Sequence, residues 1–479
     1  MTDNLAAKRR SHTVDALLVL LLLGVVLATR IPFRTQLLSN WDAVNFAFGM
    51  EAFDVRLHYP HPPGYPYFVG LGRAFQIALA DANASLVAES ILFSALAVAT
   101  LYLLGALIFD RRTGLIAALL LTFSVTFWSR GEVALAYTSL AFFSSLAALL
   151  AYRILRGEKR LAAVLAAVYS VGAGFRPDLL LFLGPLFVAS LYRQSPWRVL
   201  AALGVAAAGV GLWLVPTVAL SGGFDEYAGV ISGYLNEDVT NRYSLVQHGA
   251  AALAVSARDT AAYTFYALYA TSVPLVAGIL AWVWRRFAPG FPWGFLVLWV
   301  LPVMFFYSLV HIGDPGYVFT FLPGLLLVAA RFLAGLRRPG LALVAVLLLA
   351  NVLVFLFHPR PLTLPGLRQE EAALRARMAY IKENYAPEKV HILSFESGRQ
   401  VQYYLRQYPS TWIDLRDQAR WEEPLAADRD LILFDESLAR AWLSPSQREE
   451  IALAPNIAIY RVADASGMLV RDGFRLGIR

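Results

Sequence analysis

Long apolar runs fill the first three-quarters of the chain and constrain its fold more than any other feature. One of them, "ALLVLLLLGVVLAT" at residues 16–29, contains no charged residue. A helix that crosses a bilayer needs roughly 20 mostly apolar residues, and runs of this kind recur. Only 16% of the 479 residues are charged and 58% are hydrophobic, whereas soluble domains are about 25% charged. We therefore predict a polytopic α-helical membrane protein.

The apolar runs predict about eleven transmembrane helices. The pair at 161–175 and 178–192 is short for a crossing, because a span needs roughly 20 residues. The predicted spans are 14–30, 86–109, 114–130, 133–153, 161–175, 178–192, 198–220, 261–284, 291–310, 317–336 and 340–357.

Lysine and arginine residues cluster at alternate ends of these runs. If the N-terminus is cytoplasmic, the inner loops carry the basic clusters, such as those at residues 8–10 and 153–160. Cytoplasmic loops of membrane proteins are enriched in these cations. We therefore predict a multi-pass protein of the cell membrane with a cytoplasmic N-terminus and an extracytoplasmic C-terminus. The same distribution explains the net charge of +7, so nucleic acid is not an expected partner.

The segment "HPPGYPYFVGLGRAF", residues 61–75, does not fit the pattern of a span. Its apolar run from Pro66 to Ala80 is short and contains Arg73. A crossing here would also turn every later basic loop outward, against the positive-inside bias. We therefore predict a helix at the outer membrane surface that begins at the prolines. Arg73 is expected to extend toward the lipid headgroups.

Two outer loops and a C-terminal domain follow from this topology. The loops cover residues 31–85 and about 221–260. Residues 1–357 form the predicted membrane domain, and residues 358–479 form a small extracytoplasmic α/β domain. The C-terminal part alternates a helix-like run, "RQEEAALRARMAYIKENY", with strand-like runs such as "KVHILSF", "DLILFD" and "IAIYRV". Short β-branched runs bounded by turn residues are typical of strands.

The first of four polar segments on the outer face is residues 38–66. Its acidic groups can act as a general base if they lie in the cavity, or they can be solvated loop residues. Its titratable residues include Asp42, Glu51, Asp54, His58 and His61.

Two further polar segments lie at junctions between spans. Arg130, Glu132 and Tyr137 stand in "FWSRGEVALAYTS", residues 127–139, where they either anchor helix ends or line a site. Arg176 and Asp178 lie between two short apolar runs. They can pair with each other for structure, or Arg176 can face a lipid phosphate.

The fourth segment, residues 311–324, holds His311, Asp314 and Tyr317 at another outer junction. It is either a Pro-Gly turn or a substrate contact. All four segments fall at one membrane face, where ionisable groups are costly unless solvated or functional. An acid together with arginine, histidine and tyrosine suits a lipid with a phosphate headgroup, because arginine presents paired donors to phosphate oxygens.

Several chemistries have no support in the sequence. There is no glycine-rich loop of the P-loop type. The seven histidines lack metal-ligand spacing, and the absence of cysteine excludes a thiol nucleophile or a thiolate metal site. We expect no cofactor, although a requirement for a divalent metal stays open.

The motifs at the outer face resemble those of a known superfamily. A Trp-Asp pair at residues 41–42, followed by "HPPGYPYFVGLGRAF" and "FWSRGEVALAYTS", is similar to the membrane glycosyltransferases of the GT-C superfamily. The nearest resemblance is to bacterial relatives of the protein O-mannosyltransferases (family 39-like) and to the lipid A aminoarabinose transferases. It covers most of residues 14–357.

This resemblance implies an enzyme that moves a sugar from a polyprenyl-phosphate donor to an acceptor hydroxyl on the outer side, with inversion. The acceptor would be a lipid, a glycan or a protein. Asp42 matches the acid of the first loop and would be the catalytic base. The motif reads Asp-Ala here, whereas an Asp-Glu pair is common in O-mannosyltransferases, so the acceptor is left open.

The resemblance also implies roles for other residues at this face. His61, Tyr65, Arg130 and Arg176 are the candidates for binding the donor phosphate. The remaining cavity candidates are Asp54, His58, Glu132, Tyr137, His311, Asp314 and Tyr317. No metal ligand is expected among them.

A transporter or flippase for a lipid-linked glycan is the chief alternative. Transporters often show inverted repeats and broken helices near the midplane. The sequence shows no such repeat, and its ionisable groups gather at one face instead. A sensor anchored by the membrane part is a second alternative, although about eleven spans exceed what an anchor needs.

Overall fold

The computed structural model describes residues 2–236, 245–284, 292–310, 312–413, 429–442 and 445–462. The chain divides into two compact units. The first unit comprises Met1–Thr35 and Gly49–Gly366, and the second comprises Gln36–Phe48 and Leu367–Arg479. Residues 36–48 are predicted to belong to the membrane domain, but in the structure they group with the C-terminal part of the chain.

Helices dominate the described chain up to residue 357. They are α1 (Thr2–Arg30), α2 (Trp41–Glu51), α3 (Pro66–Leu79), α4 (Ala82–Ile108), α5 (Arg111–Thr122), α6 (Val125–Arg130), α7 (Tyr137–Leu155), α8 (Ala162–Phe175), α9 (Leu179–Phe182), α10 (Gly184–Leu191), α11 (Pro196–Leu220), α12 (Phe224–Tyr234), α13 (Leu245–Leu268), α14 (Ser272–Val283), α15 (Trp293–Leu309), α16 (Leu322–Gly335) and α17 (Arg337–Phe357).

Within the described residues, six helical segments are long and apolar enough to cross a membrane. The helices α15 and α16 are apolar but shorter. The prediction of a multi-pass helical membrane protein is confirmed, whereas the count of eleven crossings stays a prediction. The six segments are Thr13–Phe33, Ala82–Ile108, Tyr137–Leu155, Pro196–Leu220, His248–Val283 and Arg337–Phe357.

The predicted span at 114–130 is not one helix, because the helical conformation is interrupted between α5 and α6. Ser124 has extended backbone angles (φ −63°, ψ 123°), and its hydroxyl donates to the carbonyl oxygen of Ala267 at 2.6 Å. Hydropathy cannot reveal this break, since it depends on a partner far away in the sequence. The predicted span at 178–192 is likewise divided into the short helices α9 and α10.

Helix α3 forms where the sequence predicts it. Pro66 is its first residue, a position where the missing N–H of proline costs nothing. Arg73 has partners within the protein, and its extension toward the lipid headgroups stays a prediction. Its guanidinium donates to the carbonyl oxygens of Gly49 (2.8 Å) and Met50 (2.9 Å), which need donors because they lie at the C-terminal end of α2.

Helices α4 and α5 pack closely through a pair of glycines. A Cβ atom at Gly114 would collide with the carbonyl oxygen of Tyr102 and would lie 2.7 Å from the amide nitrogen of Ala106. These are backbone atoms, which cannot turn aside as a side chain can. A Cβ atom at Gly105 would lie 2.7 Å from the Cα of Gly114. The close approach of the two helices therefore requires glycine.

We expect Gly114→Ala to destabilise the protein by about 1–3 kcal/mol, the usual range for overpacking. Thermal unfolding in detergent measures the loss. Gly24→Ala in α1 is the matched control, because no atom lies within 4 Å of the added Cβ. The stability of the control should be unchanged or slightly higher, since alanine has a higher helix propensity than glycine. An unchanged unfolding temperature for Gly114→Ala would contradict the close packing.

The second unit contains a five-stranded sheet in the order β2-β1-β3-β5-β4. Strand β1 is parallel to β2 and β3, while β5 is antiparallel to β3 and β4. Its elements are α18 (Leu364–Asn384), β1 (Val390–Ser394), α19 (Gly398–Tyr404), β2 (Ser410–Trp412), β3 (Asp430–Leu433), α20 (Glu436–Trp442), β4 (Arg448–Ala454) and β5 (Ile457–Val462).

The predicted small C-terminal α/β fold is confirmed. The three predicted strands and the predicted helix correspond to β1, β3, β5 and α18. Strands β2 and β4 were missed, because β2 has only three residues and β4 begins with the charged run "REE". One core of the unit includes Ile381, Ile392 and Ile459, and another includes Leu393 and Leu433.

Candidate functional site

Arg176 is the centre of a polar cluster in the first unit. It directly follows α8, and its side chain is only 5% exposed. One guanidinium nitrogen lies 3.0 Å from a carboxylate oxygen of Asp178. The guanidinium carbon lies 5.3 Å from the ring centre of Tyr65, 5.0 Å from that of Tyr137 and 4.8 Å from that of Tyr317. We call these five residues the guanidinium cage.

The cage keeps the guanidinium of Arg176 charged. It also leaves two polar atoms without a hydrogen-bond partner among the described residues. Burial lowers the pKa of Arg176, but Asp178 and the surrounding phenols outweigh this effect and raise it well above its usual value. Burial raises the pKa of Tyr65, so its phenol stays protonated and can donate. Among the described residues, neither the Nε of Arg176 nor the Oδ1 of Asp178 has a hydrogen-bond partner.

A second ion pair lies next to the cage. Arg130 contacts both carboxylate oxygens of Asp314, at 2.6 and 3.2 Å. The same carboxylate accepts a hydrogen bond from the amide of Gly316 at 2.7 Å, which starts the short 3-10 helix that carries Tyr317. Arg130 also lies 5.9 Å from the ring centre of Tyr137. This pair therefore fixes two of the cage tyrosines in place.

The loop before α3 brings His61 to the cage. The rings of His61 and Tyr65 are 4.7 Å apart. Gly64 lies between them with φ +124°, and a Cβ atom there would be 3.1 Å from a methyl group of Thr217. Glycine is therefore required at this turn. The hydroxyl of Tyr227 donates to the carbonyl oxygen of Pro63 at 2.9 Å and holds the loop from the other side.

Side chains from all four predicted polar segments thus come together in the first unit. The cage and its neighbours carry two arginines and two aspartates, so their formal charges balance. Tyr307, which was not predicted from the sequence, joins them, since its ring lies 5.5 Å from that of Tyr317. It stands inside the apolar run of α15, where one more aromatic residue gives no signal. The predicted pairing of Arg176 with Asp178 is confirmed.

Asp54 and His58 lie in a tight turn of the same loop. A carboxylate oxygen of Asp54 lies 2.7 Å from the guanidinium of Arg56, and hydrogen bonding from Arg56 lowers the pKa of Asp54. His58 takes a left-handed conformation, with φ 59°. The turn closes through paired backbone hydrogen bonds between Asp54 and Tyr59. Asp54 therefore stabilises the turn. His311, a candidate from the fourth polar segment, lies outside the described residues.

Glu132 lies in the loop between α6 and α7, residues 131–136, which is buried throughout. Its carboxylate accepts a hydrogen bond from the indole of Trp128 at 2.6 Å and attracts the fully buried guanidinium of Arg30. The Arg30 guanidinium also donates to the carbonyl oxygen of Thr122 at 2.6 Å. The structure therefore buries Glu132 with Trp128 as its hydrogen-bond partner.

Asp42 belongs to the second unit and is the second residue of α2. The side chain of Asn40 accepts a hydrogen bond from the amide of Asp42 at 2.9 Å, which is the usual way to cap a helix start. Glu51 is the exposed last residue of the same helix. In the part of the chain that the structure describes, no three histidine or acidic side chains gather as a metal site.

Comparison with known proteins found one family model and several solved structures to which the chain is similar. Residues 51–200 match the family model described as the N-terminal domain of the protein O-mannosyl-transferase TMEM260. Comparison with curated protein sequences gave no match.

Three of the solved structures to which the chain is similar are two of ArnT and one of AglB. ArnT from Cupriavidus metallidurans bound to undecaprenyl phosphate is 12% identical to this chain, with a TM-score of 0.58. The match covers 93% of this chain and 97% of the ArnT chain. Its apo form is 13% identical, with coverages of 95% and 99% and the same TM-score. The archaeal oligosaccharyltransferase AglB from Archaeoglobus fulgidus is 12% identical, with coverages of 95% and 75% and a TM-score of 0.45. The predicted resemblance is confirmed, and the chain has the fold of the GT-C membrane glycosyltransferases.

Proposed function

We propose that the protein is an inverting glycosyltransferase of the cell membrane. It takes a sugar from a polyprenyl-phosphate donor and passes it to an acceptor hydroxyl on the outer face. The guanidinium cage is the observation that carries this proposal, because a buried cation with an unused donor atom suits a phosphate. The similar fold of ArnT, which was crystallised with undecaprenyl phosphate, supports the choice of a polyprenyl carrier.

The cage residues bind the phosphate of the donor in this proposal. Arg176 offers its Nε, and Tyr65 offers a phenol that stays protonated. Hydrogen bonds between a guanidinium and phosphate oxygens are charge-assisted and about twice as strong as neutral ones. His61 lies against Tyr65 and adds a ring nitrogen. Arg130 stabilises the charge that develops on the leaving phosphate.

Asp42 is the general base of the reaction. It removes the proton from the acceptor hydroxyl while the acceptor oxygen forms a bond to the anomeric carbon of the sugar. The bond between that carbon and the phosphate oxygen breaks, and polyprenyl phosphate leaves with the electron pair. Attack from the face opposite the phosphate inverts the anomeric configuration.

The direct test is to incubate the purified full-length protein with labelled polyprenyl-phosphate sugars and a crude membrane extract as acceptor. Loss of sugar from the lipid, with appearance of a product of opposite anomeric configuration, supports the proposal. Reconstituted vesicles test the transporter alternative in parallel. Movement of an intact labelled lipid between leaflets, with no cleavage of its sugar bond, would overturn the proposal.

We expect Arg176→Gln to weaken donor binding by about 10- to 100-fold. Losing a hydrogen bond to a charged group costs about 1.5–3 kcal/mol, and each 1.4 kcal/mol is tenfold in affinity. Binding of a labelled polyprenyl phosphate in detergent measures the change. Arg331→Gln is the matched control, because Arg331 also pairs with an aspartate, Asp110, and lies 5.7 Å from an aromatic ring. Equal binding by Arg176→Gln and the parent would exclude the cage as the phosphate site.

A further inference from the structure

We propose that the C-terminal α/β fold positions the catalytic base, with Tyr404, Gln400 and Trp412 as positioning residues for Asp42. This inference rests on the proposed role of Asp42. It gives the second unit a function in transfer, namely to hold the start of α2 in one orientation.

Side chains of the second unit hold consecutive backbone groups just before Asp42. The amides of Gln36 and Leu37 both donate to one carboxylate oxygen of Glu371, the latter at 2.9 Å. The amide of Leu38 donates to the hydroxyl of Tyr404 at 2.7 Å. The carbonyl oxygen of the next residue, Ser39, accepts a hydrogen bond from the side chain of Gln400 at 2.7 Å.

The anchoring side chains are themselves fixed. Glu371 and Gln400 are 5% and 4% exposed. Arg368 pairs with the second carboxylate oxygen of Glu371 at 2.8 Å. Because these anchors lie on α18 and α19, which pack on the sheet, the segment before Asp42 takes its position from the folded second unit.

Aromatic rings fix the residue directly before Asp42. The ring of Trp41 lies 5.3 Å from that of Trp412, and the guanidinium of Arg399 lies 5.8 Å from the ring centre of Trp41. Trp412 is held in turn, since its indole donates to the carbonyl oxygen of Phe395 at 3.0 Å. Its ring also passes so close to Gly398 that a Cβ atom there would collide with it.

These contacts determine where the Asp42 carboxylate lies. Asn40 caps α2, on which Asp42 is the second residue, so the anchored residues 36–41 set both the start and the direction of its first turn. A general base must be within hydrogen-bond reach of the proton that it removes. A displacement of about 1 Å can cost about 100-fold in rate. The anchors and Asp42 belong to the same unit, and the anchors act on the chemistry through Asp42.

The test uses Tyr404→Phe and Gln400→Leu, which each remove one anchor and keep the bulk of the side chain. We expect kcat to fall by about 10- to 100-fold in the double variant, while the KM for the donor is unchanged. Tyr408→Phe is the matched control, because its hydroxyl donates to the carbonyl oxygen of Tyr385 at 3.2 Å, within the same unit. Circular dichroism and thermal unfolding of each variant check the fold, and Trp412→Phe replaces any variant that unfolds.

The decisive measurement repeats the substitutions in an Asp42→Asn background. If the anchors act through Asp42, they add no further loss there, because effects within one functional unit are not additive. An equal loss in both backgrounds, or parent-level kcat in the double variant, would overturn the positioning role. Full activity of Asp42→Asn alone would instead refute the proposed base, so the two failures can be distinguished.

Discussion

Asp42→Asn should lower the rate of sugar transfer by about 10²- to 10⁴-fold, the usual contribution of a general base. Asparagine keeps the size of the side chain and its place near the start of α2, but it cannot accept the proton. Donor binding should be unchanged, because the cage residues that bind the phosphate in our proposal are untouched. Single-turnover assays with labelled donor separate the chemical step from binding.

Glu51→Gln is the matched control for this substitution. Glu51 lies on the same helix as Asp42, at its other end, and is exposed. Its loss should leave transfer at the parent rate. Equal rates for Asp42→Asn and the parent would require another base, and equal losses for both variants would point to the charge of the helix and not to one carboxylate.

Glu132→Gln should destabilise the protein by about 1–3 kcal/mol, because it removes the negative charge that attracts the buried guanidinium of Arg30. Glutamine can still accept the hydrogen bond from Trp128, so the substitution removes the charge and keeps the shape. The fully buried cation of Arg30 then loses its counter-charge. Thermal unfolding in detergent measures the loss.

The double variant Arg30→Gln/Glu132→Gln serves as the control, since it removes both charges. It should recover much of the stability that Glu132→Gln loses, and the coupling energy follows from the double-mutant cycle. If the two single losses simply add, the pair does not interact. If Glu132→Gln is as stable as the parent but inactive, Glu132 belongs to the chemistry and not to the fold.

Helix content and the convergence of polar residues could be read from the sequence, because both follow from local composition and chain order. Apolar runs identify helices wherever they are long, as at α4 and α11. The alternation of basic loops then predicts that the segments of Tyr65, Arg130 and Arg176 share one face. Strands β1, β3 and β5 are recognisable for the same local reason.

Features that depend on distant partners could not be read from the sequence. The break at Ser124 needs the carbonyl oxygen of Ala267, and the role of Glu132 needs Arg30. Both partners lie far away along the chain. The grouping of residues 36–48 with the C-terminal part of the chain rests on Glu371, Gln400 and Tyr404. No local pattern marks these side chains as anchors for the segment that carries Asp42.

The buried loop at residues 131–136 has a consequence for how the chain is made. The guanidinium of Arg30 attracts the carboxylate of Glu132 in this loop, and Arg30 is synthesised before Glu132 because it stands earlier in the chain. Arg30 ends α1, which is long and apolar enough to cross a membrane, so we expect the cation to reach the membrane before the anion. If Arg30 is already in place, the carboxylate of Glu132 avoids the cost of entering the bilayer without a nearby positive charge. The order of Arg30 and Glu132 along the chain thus sets the order in which their charges enter the membrane.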